Sequence, residues 1–416
     1  MAAVATDAVA IPRTRLSTRG LMGRVAVATA ITVGVFLIPL ALEPFQNNQI
    51  TRAAIYAIIG LSINVLTGHL GQISLGHQAF VGLGAFVSGF MATEAGLSFY
   101  LALPIAGLFG AFSAFLLGLV ALRLRGLYLA LITLAYGAVA EESLFNIRAL
   151  TRGGEGMPAP RPGAFASDRA YLYLCMLVLV VVLLIDWRLV KSKAGRAILA
   201  IRHDERVAAT QGINVTFYKI LAFMLSGFLA GIAGSLFAHW QTVVVSNDFV
   251  LSVALIWVFM TVVGGLGSRA GVVIGSSFFA LFPFLIESMP FFSDTVKEQL
   301  PRAVPLIGAI LLLVTLILYP GGIGQQLLPL RRWLAGGPFH VHKEERKRPS
   351  GGTAPVPQEL LAPEQKERPQ ESEPVTEPSG NGPPAVEDQR AAAVPEPATR
   401  NTTRRLLRRS PRKKGT

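Results

Sequence analysis

The chain has 416 residues, 52% hydrophobic and 15% charged, with 38 Lys+Arg against 25 Asp+Glu. A soluble domain carries roughly 25% charged residues, so a soluble enzyme built round one ordinary core is excluded. The net charge of +13 divides into +7 over residues 1–330 and +6 over residues 331–416, which also hold 13 of the 26 prolines. Basicity alone therefore does not indicate a nucleic-acid binder, and a membrane protein with a soluble tail remains.

A hydrocarbon layer about 30 Å thick needs ~20 apolar residues in a helix rising 1.5 Å per residue. Such runs recur near 24–42, 51–67, 72–93, 99–122, 126–146, 170–187, 217–239, 251–266, 271–288 and 303–319, and none follows residue 320. The pattern predicts an all-α integral membrane protein, a polytopic helical bundle of about ten spans, within eight to eleven. The Gly-rich runs 68–84 and 263–275 mark broken or re-entrant segments, tolerated only where protein or a water-filled cavity covers the backbone. Residues 1–23 form an N-terminal segment before an uncleaved first span, because its apolar run is longer than a signal peptide's and no small-x-small site follows it. The membrane domain then runs over 24–325.

Basic residues in short loops set the orientation. With the N-terminus inside, the inner segments hold Arg13, Arg15, Arg19, Arg24, Arg123, Arg125, Arg188, Lys191, Lys193, Arg196, Arg202, Arg206, Lys219 and Arg269, fourteen in all. The outer segments hold seven: Arg52, Arg148, Arg152, Arg161, Arg169, Lys297 and Arg302. Both termini are therefore expected in the cytoplasm, although loop 147–169 carries four arginines against the bias.

Residues 64–85 place five glycines (Gly68, Gly71, Gly76, Gly82 and Gly84) among Asn64, Gln72, Ser74, His77 and Gln78. Small residues let membrane helices approach closely, and polar side chains at membrane depth usually face an interior pathway. Both readings stay open here: tight packing with satisfied hydrogen bonds, or a path lined by Asn64, Gln72, Ser74, Gly76 and His77. His69 and His77 lack a nearby carboxylate, so no metal site is expected.

Glu141 and Glu142 end the fifth span. Facing a cavity, Glu141 would contact a substrate ammonium group or a proton; at ~22 Å along a helix starting at 126 it is better placed as a rim charge. The lone Cys175 sits in an apolar run and excludes an intramolecular disulfide.

Segment 187–217 is the longest polar interruption of the apolar region. From Gly195 to Ala209 apolar residues recur near helical spacing, Gly212 follows as a stop, and Asn214 and Thr216 offer caps for the next span. A short helix across the cytoplasmic face is a docking element, since a plain loop of this length is unusual. Residues 262–275 lack the Lys-Ser/Thr ending of a phosphate loop, and no such motif occurs elsewhere. Any ATP-driven work must come from another polypeptide. No Ser/His/Asp set, carboxylate pair or metal cluster appears, so no catalytic residue or cofactor is expected.

Four ordered runs over residues 50–325 together resemble the membrane subunit of high-affinity branched-chain amino-acid ABC importers, the LivM type. The first is Asn64, Gly68, Gly71, Ser74, Leu75, Gly76, Ala79, Phe80, Gly82, Gly84 and Ala85. The second is Arg123, Arg125, Gly126, Tyr128, Ala130, Thr133, Leu134 and Ala135. The third is Gly195, Arg196, Ala197, Ala200, Ile201, Arg202, Ala208, Ala209, Gly212, Ile213 and Asn214, one residue shorter than the family pattern between Ala209 and Gly212. The fourth is residues 264–268.

The resemblance implies a translocation path enclosed by this chain and a second permease subunit. It also implies two cytoplasmic ABC ATPase subunits and an extracytoplasmic amino-acid binding protein, in a bacterial plasma membrane. Segment 188–216 would couple to the ATPases through Gly195, Arg196, Arg202, Asp204, Glu205, Ala208, Ala209 and Gly212. The usual Glu-Ala start of that coupling loop is replaced by Arg206 and Val207, which leaves Asp204 or Glu205 as the acid offered to an ATPase.

Importers of urea and short amides share these motifs. A proton-coupled secondary carrier would instead want an ionisable pair deep in the membrane, and an integral membrane enzyme would want a reactive constellation.

Residues 335–416 are rich in Pro, Glu, Ala and Arg without apolar periodicity, a composition that cannot offset ordering entropy and predicts disorder. The end carries seven positive charges over residues 404–414, each worth roughly 1 kcal/mol beside anionic lipid. Deleting residues 340–416 is expected to leave transport largely intact, as measured by uptake into cells or vesicles; loss of uptake or assembly would give the tail a further role.

Overall fold

Glu43 and Pro44 start the first long helix. Proline at the first helical position gives up no hydrogen bond, and the Glu43 amide donates to Gln46 Oε1 at 3.2 Å. The helix, α1 (Pro44–Ile63), is polar over Gln46–Arg52 and almost wholly apolar from Ala53 on, as a helix entering the centre of a bundle must be. Ile55, Ile58, Ile59, Leu61 and Ile63 are completely buried.

The computed structural model describes residues 37, 39–121, 124, 126–152, 156–287, 306–315, 317–318 and 322–326. Most of the expected first span, Arg123 and Arg125, residues 1–23 and the tail 335–416 lie outside them.

Around α1 stand α2 (His77–Thr93), α3 (Phe99–Ala121), α4 (Leu127–Glu142), α5 (Asp168–Lys191), α6 (Lys193–His203), α7 (Glu205–Thr210), α8 (Val215–Gln241), α9 (Leu251–Gly264) and α10 (Arg269–Glu287). The apolar helix α11 (Leu306–Thr315) and the short α12 (Gly322–Gln326) complete the described chain. Among the described residues, six helices are long and apolar enough to cross a membrane. Helix α2 has 17 residues, and Arg269–Leu285 and Leu306–Thr315 are shorter apolar helices. The all-α membrane architecture therefore holds. The strands among the described residues are a two-residue antiparallel pair, Met157–Pro158 against Val243–Val244.

Glycine sets how closely α2, α3 and α8 approach. A Cβ at Gly231 would lie 2.4 Å from the Ala106 carbonyl, one at Gly227 2.3 Å from the Gly110 carbonyl, and one at Gly234 1.9 Å from the Val81 carbonyl. Gly227 and Gly231 form a small-xxx-small face, and the helices meet backbone to backbone where any larger residue would hold them apart. Opposite this core, α3 exposes Leu108, Phe112, Leu116 and Leu119, and α5 exposes Leu177, Val180, Val181 and Leu184. These stripes would be costly in water and cost nothing against lipid or another apolar helix.

Both Gly-rich runs break helices. Span α1 continues past Ile63 as a π-helix (Asn64–Leu70), turns at Gly71 with φ +77°, and α2 begins only at His77, five residues later than the apolar pattern places it. Close approach is the cause: a Cβ at Gly76 would sit 1.9 Å from the Thr133 carbonyl on α4. The second run turns between α9 and α10, with Gly265 and Gly267 at φ +107° and +82°.

Replacing Gly234 by Ala is expected to force α2 and α8 apart and cost about 3 kcal/mol, lowering the detergent-solubilised melting temperature by roughly 5–10 °C. Ala at Gly163, where no atom lies within 4 Å of the added Cβ, should leave it unchanged.

Candidate functional site

The break between α1 and α2 leaves short polar side chains deep in the bundle, and they bond to one another. His77 opens α2 fully buried; its Nδ1 lies 3.1 Å from Ser74 Oγ and its Nε2 3.0 Å from Ser226 Oγ on α8. Ser226 donates its own hydrogen to the Ser62 carbonyl at 2.7 Å. Its oxygen is thus left to accept from His77, and the ring carrying hydrogen on Nε2, with Nδ1 accepting from Ser74, satisfies every group.

Beside this chain the Leu75 amide donates to Thr133 Oγ1 at 2.9 Å. Next to it lies Gln78, wholly buried against Gly137, where an added Cβ would come within 2.2 Å of its Nε2. The Gln78 amide has no protein partner on either polar atom. A buried unsatisfied amide costs about 1–3 kcal/mol, and its presence beside a histidine and three hydroxyls makes this a polar recess within an apolar bundle.

A second cluster forms at the end of the bundle where α6 lies. Asn64 Oδ1 accepts from the Gly267 amide at 2.7 Å, tying the π-helix to the α9–α10 turn. His69 Nε2 lies 2.8 Å from Asp186 Oδ1 near the end of α5. Arg269, at the start of α10, bonds the other Asp186 oxygen through Nε and the Asp186 carbonyl through Nη2 at 3.2 Å. Asp186 is completely buried. A lone carboxylate there would be prohibitively costly, and the Arg269 guanidinium on one oxygen with the His69 ring on the other makes it tenable. Arg202 of α6 donates to the Gly68 carbonyl, one of those left without a helical partner where the π-helix ends.

Ser192 caps α6 by accepting from the Gly195 amide at 3.1 Å, and Gly195 is required because a Cβ would meet the Leu189 carbonyl at 2.0 Å. The amphipathic α6 buries Ala197, Ile198 and Ile201. Asp204 caps α7, accepting from the Arg206 amide at 2.7 Å and the Val207 amide at 3.3 Å. Glu205 is paired with Lys219 of α8 at 2.6 Å. Arg196 is exposed and reaches back to the Lys191 carbonyl; Ala208 is buried, Ala209 is exposed, and Gly212 ends the segment at φ +79°.

Of the six path candidates, Ser74, Gly76 and His77 share the recess. Asn64 belongs to the second cluster, and Gln72, buried on the linker, accepts through its carbonyl from Thr67 Oγ1 at 3.3 Å. Glu141 stands at the opposite end, half-buried, accepting from the Leu251 amide at 3.1 Å and so closing the start of α9. Sequence reasoning passed over Thr133, Ser226, Asp186 and the pairing of Lys219. Asp186 carried a readable signal, a lone acid at the end of an apolar run, and ionisable groups at such depth are rarely idle. Among the described residues no group of three or more His, Cys, Asp or Glu is placed to hold a metal ion.

At the opposite end, loop 147–169 finds its charge partners. Arg161 donates to the His239 and Trp240 carbonyls, both at 3.3 Å, and to Asp168 at 2.6 Å. A cation at these last carbonyls of α8 meets the negative pole of the helix. Arg152 pairs with Glu94. His239 is held between Ser88 Oγ at 3.1 Å and the Pro160 carbonyl at 2.7 Å.

Residues 47–318 match the family described as branched-chain amino acid transport system / permease component. The high-affinity branched-chain amino acid transport system permease proteins LivM of Salmonella typhimurium and of Escherichia coli are each 35% identical over 254 residues, covering 54% of this chain and 60% of theirs. The chain thus spans well under two thirds of the length of these relatives. LivH of Salmonella typhimurium is 26% identical over 304 residues, covering 66% of this chain and 93% of its own. A solved structure, PsaBC from Streptococcus pneumoniae in complex with Fab, overlays at a TM-score of 0.37 with 17% identity, covering 72% of this chain and 99% of that one.

Removing the Asp186 carboxylate (D186A) leaves Arg269 without its counter-charge and His69 without its hydrogen-bond partner, and is expected to cost about 3–5 kcal/mol. The measurement is thermal unfolding of the purified protein, and D186N should cost less because its amide oxygen still accepts one bond.

Proposed function

We propose a function from one premise, that the chain belongs to the family of branched-chain amino-acid transport permease components. It acts as a permease subunit of an ATP-driven importer of branched-chain amino acids. In this reading ten spans cross the plasma membrane of a bacterium with both termini cytoplasmic, and α6 and α7 lie on the cytoplasmic face. A second permease subunit completes the path, two ABC ATPases drive it, and an extracytoplasmic binding protein delivers the substrate.

The observation that carries this reading is the seating of α6 and α7. A polar helical pair outside the bundle is fastened to the ends of α1 and α8 by Arg202 and Lys219. The neighbouring α5, α9 and α10 ends are locked together by Asp186, Arg269 and Asn64. A motion imposed on α6 from the cytoplasm would therefore reach the helices that enclose the recess at His77. The chain itself only conducts; ATP binding and hydrolysis fall to the partners. Glu141, bonded to the start of α9, reads as a structural rim charge, and Asn64, Gln72, Ser74, Gly76 and His77 as the polar groups at the path's inner half.

Urea or a short amide is the first alternative substrate, since the motifs are shared. A proton-coupled carrier is the alternative of another class, and the buried His69–Asp186 pair is the feature on its side. Proteoliposomes holding this chain with the permease, ATPases and binding protein encoded beside it separate the three. ATP-dependent accumulation of radiolabelled leucine, isoleucine or valine is expected. ATP-dependent uptake of urea alone would transfer the assignment, and uptake driven by a pH gradient without ATPases would refute the importer.

A further inference from the structure

Arg202 is the point on which three of the sequence's four motifs converge. It is contributed by α6. Its stem lies over Gly71, where an added Cβ would come within 2.9 Å of Arg202 Cγ, so only glycine fits beneath it. Its guanidinium donates to the Gly68 carbonyl at the end of the π-helix. The same Nη1 would lie 3.5 Å from a Cβ on Gly267, in the turn between α9 and α10. Gly71 and Gly267 both adopt positive φ, at +77° and +82°. That turn is in turn held to the π-helix by the bond from the Gly267 amide to Asn64.

Arg202 is exposed on α6, yet its stem and one guanidinium nitrogen are turned inward onto Gly71 and the Gly68 carbonyl. It fills a slot between two left-handed glycines and supplies a charged donor to a carbonyl the helix cannot satisfy. The hydrophobic face of α6, through Ile198 and Ile201, braces it from behind. π-turns recur at functional sites because one backbone bond is out of register and the segment has a neighbouring α-helical arrangement.

We infer that Arg202 is a positioning residue that makes α6, the π-helical end of α1 and the α9–α10 turn move as one body, so that displacement of α6 is transmitted to the helices around His77. This rests on the importer reading. It assigns Arg202 a coupling role within the chain through the Gly68 carbonyl.

The test uses the full complex in proteoliposomes, with uptake and ATP hydrolysis measured in the same preparation. R202M is expected to keep ATP hydrolysis near the wild-type rate while substrate moved per ATP falls about tenfold, the scale of one lost charged hydrogen bond. In the double variant G71C/R202C the two Cβ atoms lie 3.7 Å apart, within the usual disulfide range. The chain's own Cys175 is completely buried and does not compete. Reduced, this variant should be as uncoupled as R202M; oxidised with copper phenanthroline, it should regain most of the lost stoichiometry.

A purely architectural arginine would lower uptake and hydrolysis together, and oxidation would not change their ratio. The inference is overturned if R202M transports at wild-type stoichiometry, if it fails to assemble with its partners, if the disulfide does not form, or if the oxidised variant stays uncoupled. Absence of ATP-dependent uptake by the wild-type complex would instead sink the importer reading on which the inference stands.

Discussion

The backbone leaves helical geometry between Leu70 and His77 inside an apolar bundle, and the arrangement of its neighbours follows from that break. Within a bilayer an unsatisfied amide or carbonyl costs several kcal/mol, so irregular chain survives only where other protein groups cover it. Here Thr133 takes the Leu75 amide, the Gln72 amide returns to the Leu66 carbonyl, and Arg202 answers the Gly68 carbonyl. Each of those partners comes from a different part of the chain. The break therefore dictates where α4 and α6 sit, and Gly76 and Gly71 let them come close enough.

The same break separates two polar clusters of different character. Around His77 the groups are neutral and mutually bonded, with one amide, that of Gln78, left over. Around Asp186 they include a matched charge pair, Arg269 on one carboxylate oxygen, with His69 bonded to the other. A neutral cluster with a spare amide offers hydrogen bonds without holding a charge. A charged lock suits a different task, keeping three helix ends in fixed relation. The π-helix Asn64–Leu70 joins the charged cluster through Asn64 and His69, and the neutral one is reached from α1 through the Ser62 carbonyl.

Much of this architecture was legible in the sequence because membrane physics writes it in long strokes. Apolar runs gave the helices, and the Gly-rich runs 68–84 and 263–275 are where helices end. The helical period from Gly195 to Ala209 became α6 and α7, divided where Asp204 caps the second. The site was less legible, for a definite reason. His77 needs Ser226 and Leu75 needs Thr133, partners 149 and 58 residues away, and pairing at such distance leaves no local pattern. Glu141 illustrates the converse. Its position near a helix end was readable, but its bond to the start of α9 depends on how two helices meet.

The basic residues can now be weighed individually. An orientation count treats every inner or outer cation alike, yet some are placed by a local partner and would stay there in either orientation. Among the described residues, Arg202, Lys219 and Arg269 on one side and Arg152 and Arg161 on the other are held by a carboxylate or a buried carbonyl. Setting these aside leaves eleven against five, still about two to one in favour of the side that carries α6 and α7. The positive-inside argument concerns charges free to be retained by the cytoplasmic face, so the reduced count is the more appropriate one. Loop 147–169 loses half of its anomaly, since Arg152 and Arg161 are paired there and Arg148 and Arg169 still count. Arg161 is fixed there by the end of α8 and by Asp168, which makes it a helix-terminus contact and no longer evidence against the orientation.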